Sequence, residues 1–354
     1  MLNRCTSLKG QIRARLGGQL RSARVLGCHS RVGRSLLAAG AAAGLAAGTL
    51  GVSGGAIAAA APRILAYSYV ANYKSDSVTE YARGASGNAA PVATIAGPVT
   101  GLHGPVALAF DSSGNLFAAN SPADSVTEYA RDASGNAAPV ATIAGPSTRL
   151  DQPTGLAVDP SGTVFVANYD GSTVTEYAKG ASGNVVPVAA IAGPSTGLDH
   201  PAALAVDPSG TVFVANRSDS VVEFAKGASG NVAPIATIAG PATRLYSPSG
   251  LALDSSRTLF VTSFAADKVT EYARGASGNV APVATITGPP AELNLGPAID
   301  PSGTLFMADY LGDSVVEFAK GASGNVAPFI TITGPATGLH EPDAVALPNG
   351  HGHR

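Results

Sequence analysis

The stretch GLAVDPSGTVFVANYDGSTVTEYAKGASGNVVPVAAIAGPSTGLDHP, residues 155–201, is one copy of a unit that repeats along this chain of 354 residues. The repeat begins near Arg63, and its clearest marker is the glutamate of the motif V-[TV]-E-[YF]-A. That glutamate recurs every 46 to 48 residues, at Glu80, Glu128, Glu176, Glu223, Glu271 and Glu317. A fixed period of this length is typical of a repeat architecture, so this unit decides the fold.

Each unit contains four short apolar runs separated by turn residues. In the copy quoted above they span residues 154–158, 163–168, 173–178 and 187–192. Val, Ile, Thr, Phe and Tyr dominate these runs, which favours strands. Residues 159–162 read DPSG and predict a tight turn, and residues 180–184 read GASGN and predict a longer one. No window sustains helical periodicity over ten residues, so the unit predicts a four-stranded antiparallel sheet.

Four antiparallel strands in each of several repeats predict an all-β fold, a β-propeller. The chain enters the repeat at residues 64–72, which match the second strand of a unit, and leaves it at residues 341–347, which match the first strand. Five complete units lie between these ends. We predict that the C-terminal strand completes the first blade, which gives a six-bladed propeller of four-stranded antiparallel blades without a free edge at the closure. Seven blades or an open array are the alternatives.

The motif GLAVDPSGTVFVAN followed by STVTEYA, with VALAFDSS, LAVDPSG and LALDSSR at matching places in other units, resembles the NHL repeat family. The resemblance covers residues 64–348 and implies a β-propeller. The family includes binding domains, receptor sensor domains and a few enzymes, so the fold does not fix an activity. The resemblance therefore suggests a binding module, with a metal-dependent propeller hydrolase or lyase, gluconolactonase-like or streptogramin-lyase-like, as the alternative.

Residues 1–61 precede the repeat and differ from it in composition. They carry eight Lys and Arg and no Asp or Glu, and residues 35–61 are uncharged and rich in Ala, Gly and Leu. This pattern predicts a secretory signal peptide, and hence a secreted protein or one of the cell envelope. The alternative is a membrane anchor through residues 35–61. We predict one propeller domain at residues 62–348 and a disordered tail at residues 349–354.

The residues that follow the leader are acidic and lack cysteine. Both cysteines, Cys5 and Cys28, lie in the leader, so no disulfide or thiol chemistry is expected in the propeller. Of 22 Lys and Arg, 14 remain against 24 Asp and Glu, a net charge near −10. Nucleic-acid binding depends on neutralising phosphates with basic residues, so this charge disfavours it. We expect a monomer whose partner is a protein, a peptide or a glycan.

The two faces of the predicted ring differ in how much their loops vary between units. We call the face with the first-to-second and third-to-fourth strand turns the turn face; its sequences, mostly DPSG and GASGN, barely change. The opposite, variable face carries the loops after the second and fourth strands. Loops on a rigid scaffold often carry function, so we predict the ligand site there. The candidate residues are Tyr73, His103, Gln152, Tyr169, His200, Arg217, Phe264, Tyr310, Glu341 and Asp343.

Two features of the variable face have competing interpretations. One position is acidic in most units, at Asp76, Asp124, Asp219, Asp267 and Asp313. We predict that these residues cap their own turn through local bonds to the backbone, with ligand contact as the alternative. The aromatic residues either pack beneath the loops or surround the mouth of the central channel.

Catalytic and metal-binding signatures are sparse. His103, His200, Glu341 and Asp343 offer nitrogen and oxygen ligands that suit several divalent metals, but other units have Gly296 and Ala298 at the equivalent places. No G-x-S-x-G, phosphate-binding glycine loop or H-E-x-x-H motif occurs. We therefore predict no cofactor, no metal and no catalytic residues, and favour binding over catalysis.

Overall fold

A computed structural model describes residues 66–288, 293 and 295–348, and this part of the chain is built almost wholly from strands. The predicted leader, residues 1–61, and the predicted tail, residues 349–354, lie outside the described residues. The described helices are three single 3-10 turns, at Ser121–Ala123, Pro146–Thr148 and Pro241–Thr243. None of the helices in the described residues is long and apolar enough to cross a membrane.

The strands are short, as the repeat predicts. They are β1 (Ala66–Asn72), β2 (Ser77–Ala82), β3 (Ala93–Ala96), β4 (Pro105–Phe110), β5 (Leu116–Asn120), β6 (Ser125–Tyr129), β7 (Ala141–Ala144), β8 (Pro153–Val158), β9 (Val164–Asn168), β10 (Thr173–Tyr177), β11 (Ala189–Ile191), β12 (Pro201–Val206), β13 (Val212–Asn216), β14 (Ser220–Phe224), β15 (Ala236–Ala239), β16 (Pro248–Leu253), β17 (Leu259–Ser263), β18 (Lys268–Tyr272), β19 (Ala284–Thr287), β20 (Leu295–Ile299), β21 (Leu305–Asp309), β22 (Ser314–Phe318), β23 (Gly324–Asn325), β24 (Ile330–Thr333) and β25 (Pro342–Ala346). In the quoted unit, β8 to β11 overlap all four predicted runs. The fourth strand is shorter than predicted, because Pro187 has no amide hydrogen to donate.

The strands pair antiparallel in groups of four. The second to fifth groups follow chain order and consist of β4–β7, β8–β11, β12–β15 and β16–β19. The sixth group consists of β20, β21, β22 and β24, and the first group runs β25-β1-β2-β3. The predicted pairing of the C-terminal strand with the first strand is present, with Val70 opposite Val345. The first and sixth groups share an eight-stranded sheet through one parallel pair, Gly296 and Ala344.

The hydrophobic core lies between neighbouring groups. The second strands β5, β9, β13 and β21 are buried at every position, because sheets pack against both of their faces. One cluster joins Phe165, Val174 and Ile191 of the third group to Val214 and Phe224 of the fourth. Stacked apolar sheet faces of this kind supply the main favourable free energy of folding.

The innermost strand of each group contacts the innermost strands of two others. The contacts run from β25 to β4, β8, β12, β16 and β20, and β20 contacts β25 again. The backbones approach closely here: a Cβ atom on Gly155 would lie 2.7 Å from the backbone nitrogen of Leu204. Glycine at this position is therefore required by the packing of adjacent groups.

The connection between third and fourth strands, predicted as a turn, extends over the neighbouring group. We call it the 3–4 arm; in the third group it comprises residues 178–188. Its glycine Gly183 pairs in parallel with Ile143 in the outermost strand of the second group. Equivalent parallel pairs are Gly87–Ile332, Ile95–Gly135, Ile191–Gly230, Ile238–Gly278 and Ile286–Gly324. The arms therefore cover outer edge strands that would otherwise be open to pairing with another chain.

In five of the arms, the asparagine that ends the GASGN or DASGN sequence bonds the backbone of the neighbouring group. Asn184 Oδ1 accepts the backbone N–H of Ser147 at 2.7 Å, and Asn136 Oδ1 accepts that of Val99 at 3.0 Å. The same contact joins Asn231 to Ser195, Asn279 to Ala242 and Asn88 to Ala336. The last of these links the first group to the sixth, so the arm contacts run along the chain and return to its beginning.

Candidate functional site

Backbone hydrogen bonds hold the loops of the variable face in the same way in several groups. The residue after the second strand donates its N–H to a carbonyl just before the first strand of the same group. Tyr73 donates to Glu341 at 3.1 Å, and Arg217 donates to His200 at 3.2 Å. Tyr169 and Phe264 make the equivalent bonds to Gln152 and Ser247. These bonds bring side chains from separate stretches of sequence together at the inner end of each group.

The acidic position of these loops binds the next group rather than its own turn. Asp76 Oδ1 accepts the backbone N–H of Gly104 at 2.6 Å, and Asp124 Oδ1 accepts that of Gln152 at 2.8 Å. Asp219 and Asp313 make the same contact with Ser247 and Glu341. The predicted local cap was therefore wrong for these four residues. Their left-handed backbone conformation, with φ of 45° to 61°, turns the carboxylate toward the neighbouring group.

Glu341 is fully engaged by residues of the first and sixth groups. Its Oε1 accepts the Lys74 ammonium at 3.0 Å, and its Oε2 accepts the Tyr310 hydroxyl at 2.6 Å. The rings of Tyr310 and Tyr73 lie 6.4 Å apart between centroids. Burial and the nearby carboxylate of Glu341 raise the pKa of Tyr310, so its hydroxyl remains a donor. Glu341, Lys74, Tyr310 and Tyr73 therefore form one connected set of contacts at this part of the site.

Asp343 lies in β25, two residues after Glu341, and has a different environment. Its side chain is partly buried, and among the described residues its carboxylate has no hydrogen bond or ion pair. Burial raises the pKa of Asp343 to about 7, which the charge of Arg217 opposes and that of Glu341 reinforces. The carboxyl group of Asp343 is therefore available to an incoming molecule.

Arg217 directly follows β13 of the fourth group, and its charge interacts with that of Asp343. Its guanidinium lies 4.9 Å from the ring centroid of Phe264, and its Nη1 donates to the Ser247 hydroxyl at 3.1 Å. The Nε atom is buried and has no hydrogen-bond partner. Burial lowers the pKa of Arg217, while the charges of Tyr169 and Asp343 raise it. The cation is thus desolvated, stacked and incompletely hydrogen-bonded, which is costly unless a ligand completes it.

Tyr169 and His200 form a third part of the site. Their rings lie 4.9 Å apart, and His200 Nδ1 is 2.7 Å from the Asp199 carboxylate. His103 makes no comparable contacts: its Nδ1 is 4.0 Å from the Asp76 carboxylate, on an exposed loop. The aromatic candidates Tyr73, Tyr169, Phe264 and Tyr310 are all half-buried, so they neither lie wholly under the loops nor stand free.

The structure brings seven of the ten candidates together in three contact sets, and Asp343 is linked to Arg217 through its charge alone. His103 and Gln152 stand apart from these sets. Gln152 contributes its backbone to the loop bonds described above. Two contributors were missed, Lys74 and Ser247. Lys74 directly follows Tyr73 in a variable loop, which is a signal that sequence reasoning could have used. Ser247 carries no such signal, because its role depends on the stacked position of Arg217.

The alternative metal set is not assembled. Among residues 66–288, 293 and 295–348, no group of three or more His, Cys, Asp or Glu residues is placed to hold a metal ion. A groove of about 380 Å³ lies elsewhere on the third group, beside Arg149, Asp151, Thr173 and Ala190. It shares no residue with the cluster of Arg217 and Asp343.

Solved structures with a similar fold have little sequence identity to this chain. A protein of unknown function from Bacteroides caccae gives a TM-score of 0.58 with 13% identity, covering 79% of this chain and 97% of that one. A protein from Lactobacillus plantarum gives 0.53 with 14% identity and coverages of 79% and 98%. A streptogramin B lyase gives 0.50 with 12% identity and coverages of 80% and 88%. The fold is of the β-propeller type.

No protein-family model matches the chain. No curated protein matches its sequence either. At identities of 12 to 14% the structural likeness shows the fold alone, and activity must be argued from the site.

Proposed function

We propose that the chain is an exported six-bladed β-propeller of the NHL type that binds a ligand at the mouth of its central channel, on the variable face. Six groups of four strands, the pairing of β25 with β1 and the return of the innermost-strand contacts from β20 to β25 support the closed ring. The basic, then apolar leader supports export to the cell envelope or beyond. The protein acts as a monomeric binding module.

The observation that carries the binding site is the pair of Arg217 and Asp343. They belong to the fourth and first groups, which lie three places apart in the sequence of innermost-strand contacts. They influence each other's pKa, yet no ion pair joins them. Desolvated charges without partners are rare in folded proteins unless they meet a ligand. Half-buried aromatic rings flank both residues, as is common in ligand pockets.

The ligand proposed for this mouth is a protein segment, a peptide or a glycan. The net charge near −10 outside the leader argues against nucleic acid. The test is binding of the full chain to peptide and glycan arrays, compared with Arg217→Gln at the mouth and Lys179→Gln on the turn face. We expect array signals that Arg217→Gln removes and Lys179→Gln keeps, with every protein still giving a cooperative thermal transition. Signals that neither substitution changes would place binding away from the channel mouth.

Export is tested separately. We expect the full chain, expressed in a bacterial host, to be recovered outside the cytoplasm with a new N-terminus near residue 59 or 61. Recovery in the membrane fraction with Met1 or Leu2 retained would favour the anchor, and recovery in the cytoplasm would contradict export.

A second function, that of a propeller lyase or hydrolase, is favoured by one observation. Asp343 has a pKa of about 7 beside an arginine and a tyrosine, so it suits proton transfer near neutral pH. Lactone hydrolysis and elimination assays on the full chain, with Ca²⁺, Mg²⁺ or Zn²⁺, test this function. Turnover that Asp343→Asn abolishes would support the enzymatic function. No turnover under any condition would reject that function and keep the proposal of a binding module.

A further inference from the structure

The two unsatisfied charges at the channel mouth have opposite sign, and this sets the chemistry of what they bind. Asp343 is an acceptor whose carboxylate has no partner among the described residues. Arg217 is a donor with a buried Nε that lacks a hydrogen bond. A ligand with one charge would satisfy one of them and leave the other partly buried and without a partner, at a cost.

The neighbouring charges cannot fill these roles. Glu341 already accepts Lys74 and the Tyr310 hydroxyl, so its charge is neutralised within the protein. His200 is paired with Asp199 at 2.7 Å. The aromatic ring of Phe264 covers one face of the Arg217 guanidinium and leaves its edge to bind a planar anion. Asp343 and Arg217 therefore remain the two free ends of the site.

We propose that the channel mouth binds a small zwitterion, with its ammonium group on Asp343 and its carboxylate on Arg217. This inference rests on the proposed binding function and names the ligand class of the same site. The carboxylate accepts N–H bonds from the part of the guanidinium that neither the Ser247 bond at Nη1 nor the buried Nε occupies. The ammonium group gives Asp343 the charge-assisted bonds that it lacks. Tyr169, Phe264 and Tyr310 contact the carbon skeleton between the two charged ends.

The test uses zwitterions of graded length with the full chain in titration calorimetry. The probes are glycine, β-alanine, γ-aminobutyrate and diglycine, each with its N-acetyl and its C-terminal amide form. We expect one length to bind best, and each capped form of that probe to bind at least about tenfold more weakly, since one charge of the site is then unpaired. Equal binding of capped and free forms would overturn the inference.

Substitutions assign the two ends of the ligand. Arg217→Gln is expected to weaken the best zwitterion at least about tenfold while leaving binding of its amide form unchanged. Asp343→Asn is expected to do the converse, leaving binding of the N-acetyl form unchanged. Lys179→Gln, on the turn face, serves as the control, and thermal unfolding checks that each protein is folded. Equal binding of the free probe by all three variants would also overturn the proposal.

The outcome separates this inference from the proposed function. If no zwitterion binds but the array signals depend on Arg217, the channel mouth is a binding site for another chemical class, and the zwitterion is excluded. If neither the zwitterions nor the arrays give a signal that depends on Arg217, both proposals fail.

Discussion

The 3–4 arms and the loops of the variable face are both repeated connections, yet their sequences behave oppositely. The arms are nearly identical, and two of their positions are fixed by contacts with the neighbouring group: a glycine pairs with an edge strand and an asparagine binds its backbone. The variable loops need only one such residue, usually an aspartate. The remaining positions are released from assembly, and the candidate site is built from them. In this chain, the positions that repeat from unit to unit hold neighbouring groups together, and the candidate site uses positions that vary.

The largest expected effect tests whether cooperative folding requires the pairing of β25 with β1 or only the contacts made by the arms. Ending the chain at Leu339 removes β25, which buries Ala344 and Val345 between β1 and the sixth group. We expect loss of the cooperative thermal transition, because both an apolar face and a strand edge become exposed. Ending the chain at Pro348 is the control and should leave the transition unchanged. A cooperative transition without β25 would show that the arms alone hold the groups together.

A smaller effect concerns the buried glutamates in the third strands, just before the arms. Burial and Asp300 raise the pKa of Glu317 to about 7, from an ordinary value of 4.5. Stability from this group is therefore complete below about pH 4.5 and is lost as the pH rises through 7. We expect Glu317→Gln to raise the free energy of unfolding by about 2 kcal/mol at pH 8 and by much less at pH 5.

Urea unfolding at the two pH values measures this difference, with the exposed Asp170→Asn as the control. A gain for Glu317→Gln that is equal at pH 5 and pH 8 would mean that the glutamate does not change its charge in this range.

The next comparison sets one arm residue against its counterpart on the variable face. Asn184→Ala removes the acceptor of the Ser147 amide, and Asp124→Ala removes that of the Gln152 amide. We expect each to lower the free energy of unfolding by about 1 kcal/mol, since both leave a backbone N–H of another group without its partner. Val186→Ala, at an exposed arm position, is the control. A loss for Asn184→Ala alone would show that the variable loops contribute nothing to assembly.

The smallest effect separates a residue of the site from an exposed residue that precedes an outer strand. Phe264→Leu removes the ring that lies against the Arg217 guanidinium. We expect a loss of about 0.5 kcal/mol in unfolding free energy, at the low end for a cation–π contact because leucine keeps part of the packing. Phe329→Leu is the matched control, because that ring is 56% exposed beside the sixth arm. Equal values for the two substitutions would indicate that the Arg217 stack adds no stability.

The repeat predicted the strands well because their pattern is local. Runs of β-branched and aromatic residues between DPSG and GASGN needed no knowledge of other groups, and β8 to β11 lie where the sequence placed them. The pairing of β25 with β1 followed from the phase of the repeat at its two ends. Both predictions needed only the pattern within one unit and the number of units between the two ends of the repeat.

The contacts between groups were not predicted, since they depend on which backbone lies opposite. Asp76 was read as a local cap, which is its usual role in a short turn, but its carboxylate reaches residue Gly104 instead. The reach of the GASGN arms was missed for the same reason. Within the site, the variable loops pointed to Arg217 and Asp343, yet only the structure shows that both lack partners.

Because β1 and β25 are neighbours in one sheet, the first and last described residues lie in the same group although they are separated by most of the chain. The order of the groups around the axis is therefore independent of where the polypeptide is opened. A circular permutant that joins the two ends with a short linker and begins at residue 147, between the second and third groups, would keep every strand pairing. A repeat of four strands can begin and end at any of four equivalent places, and the pairing of β25 with β1 corresponds to one of them.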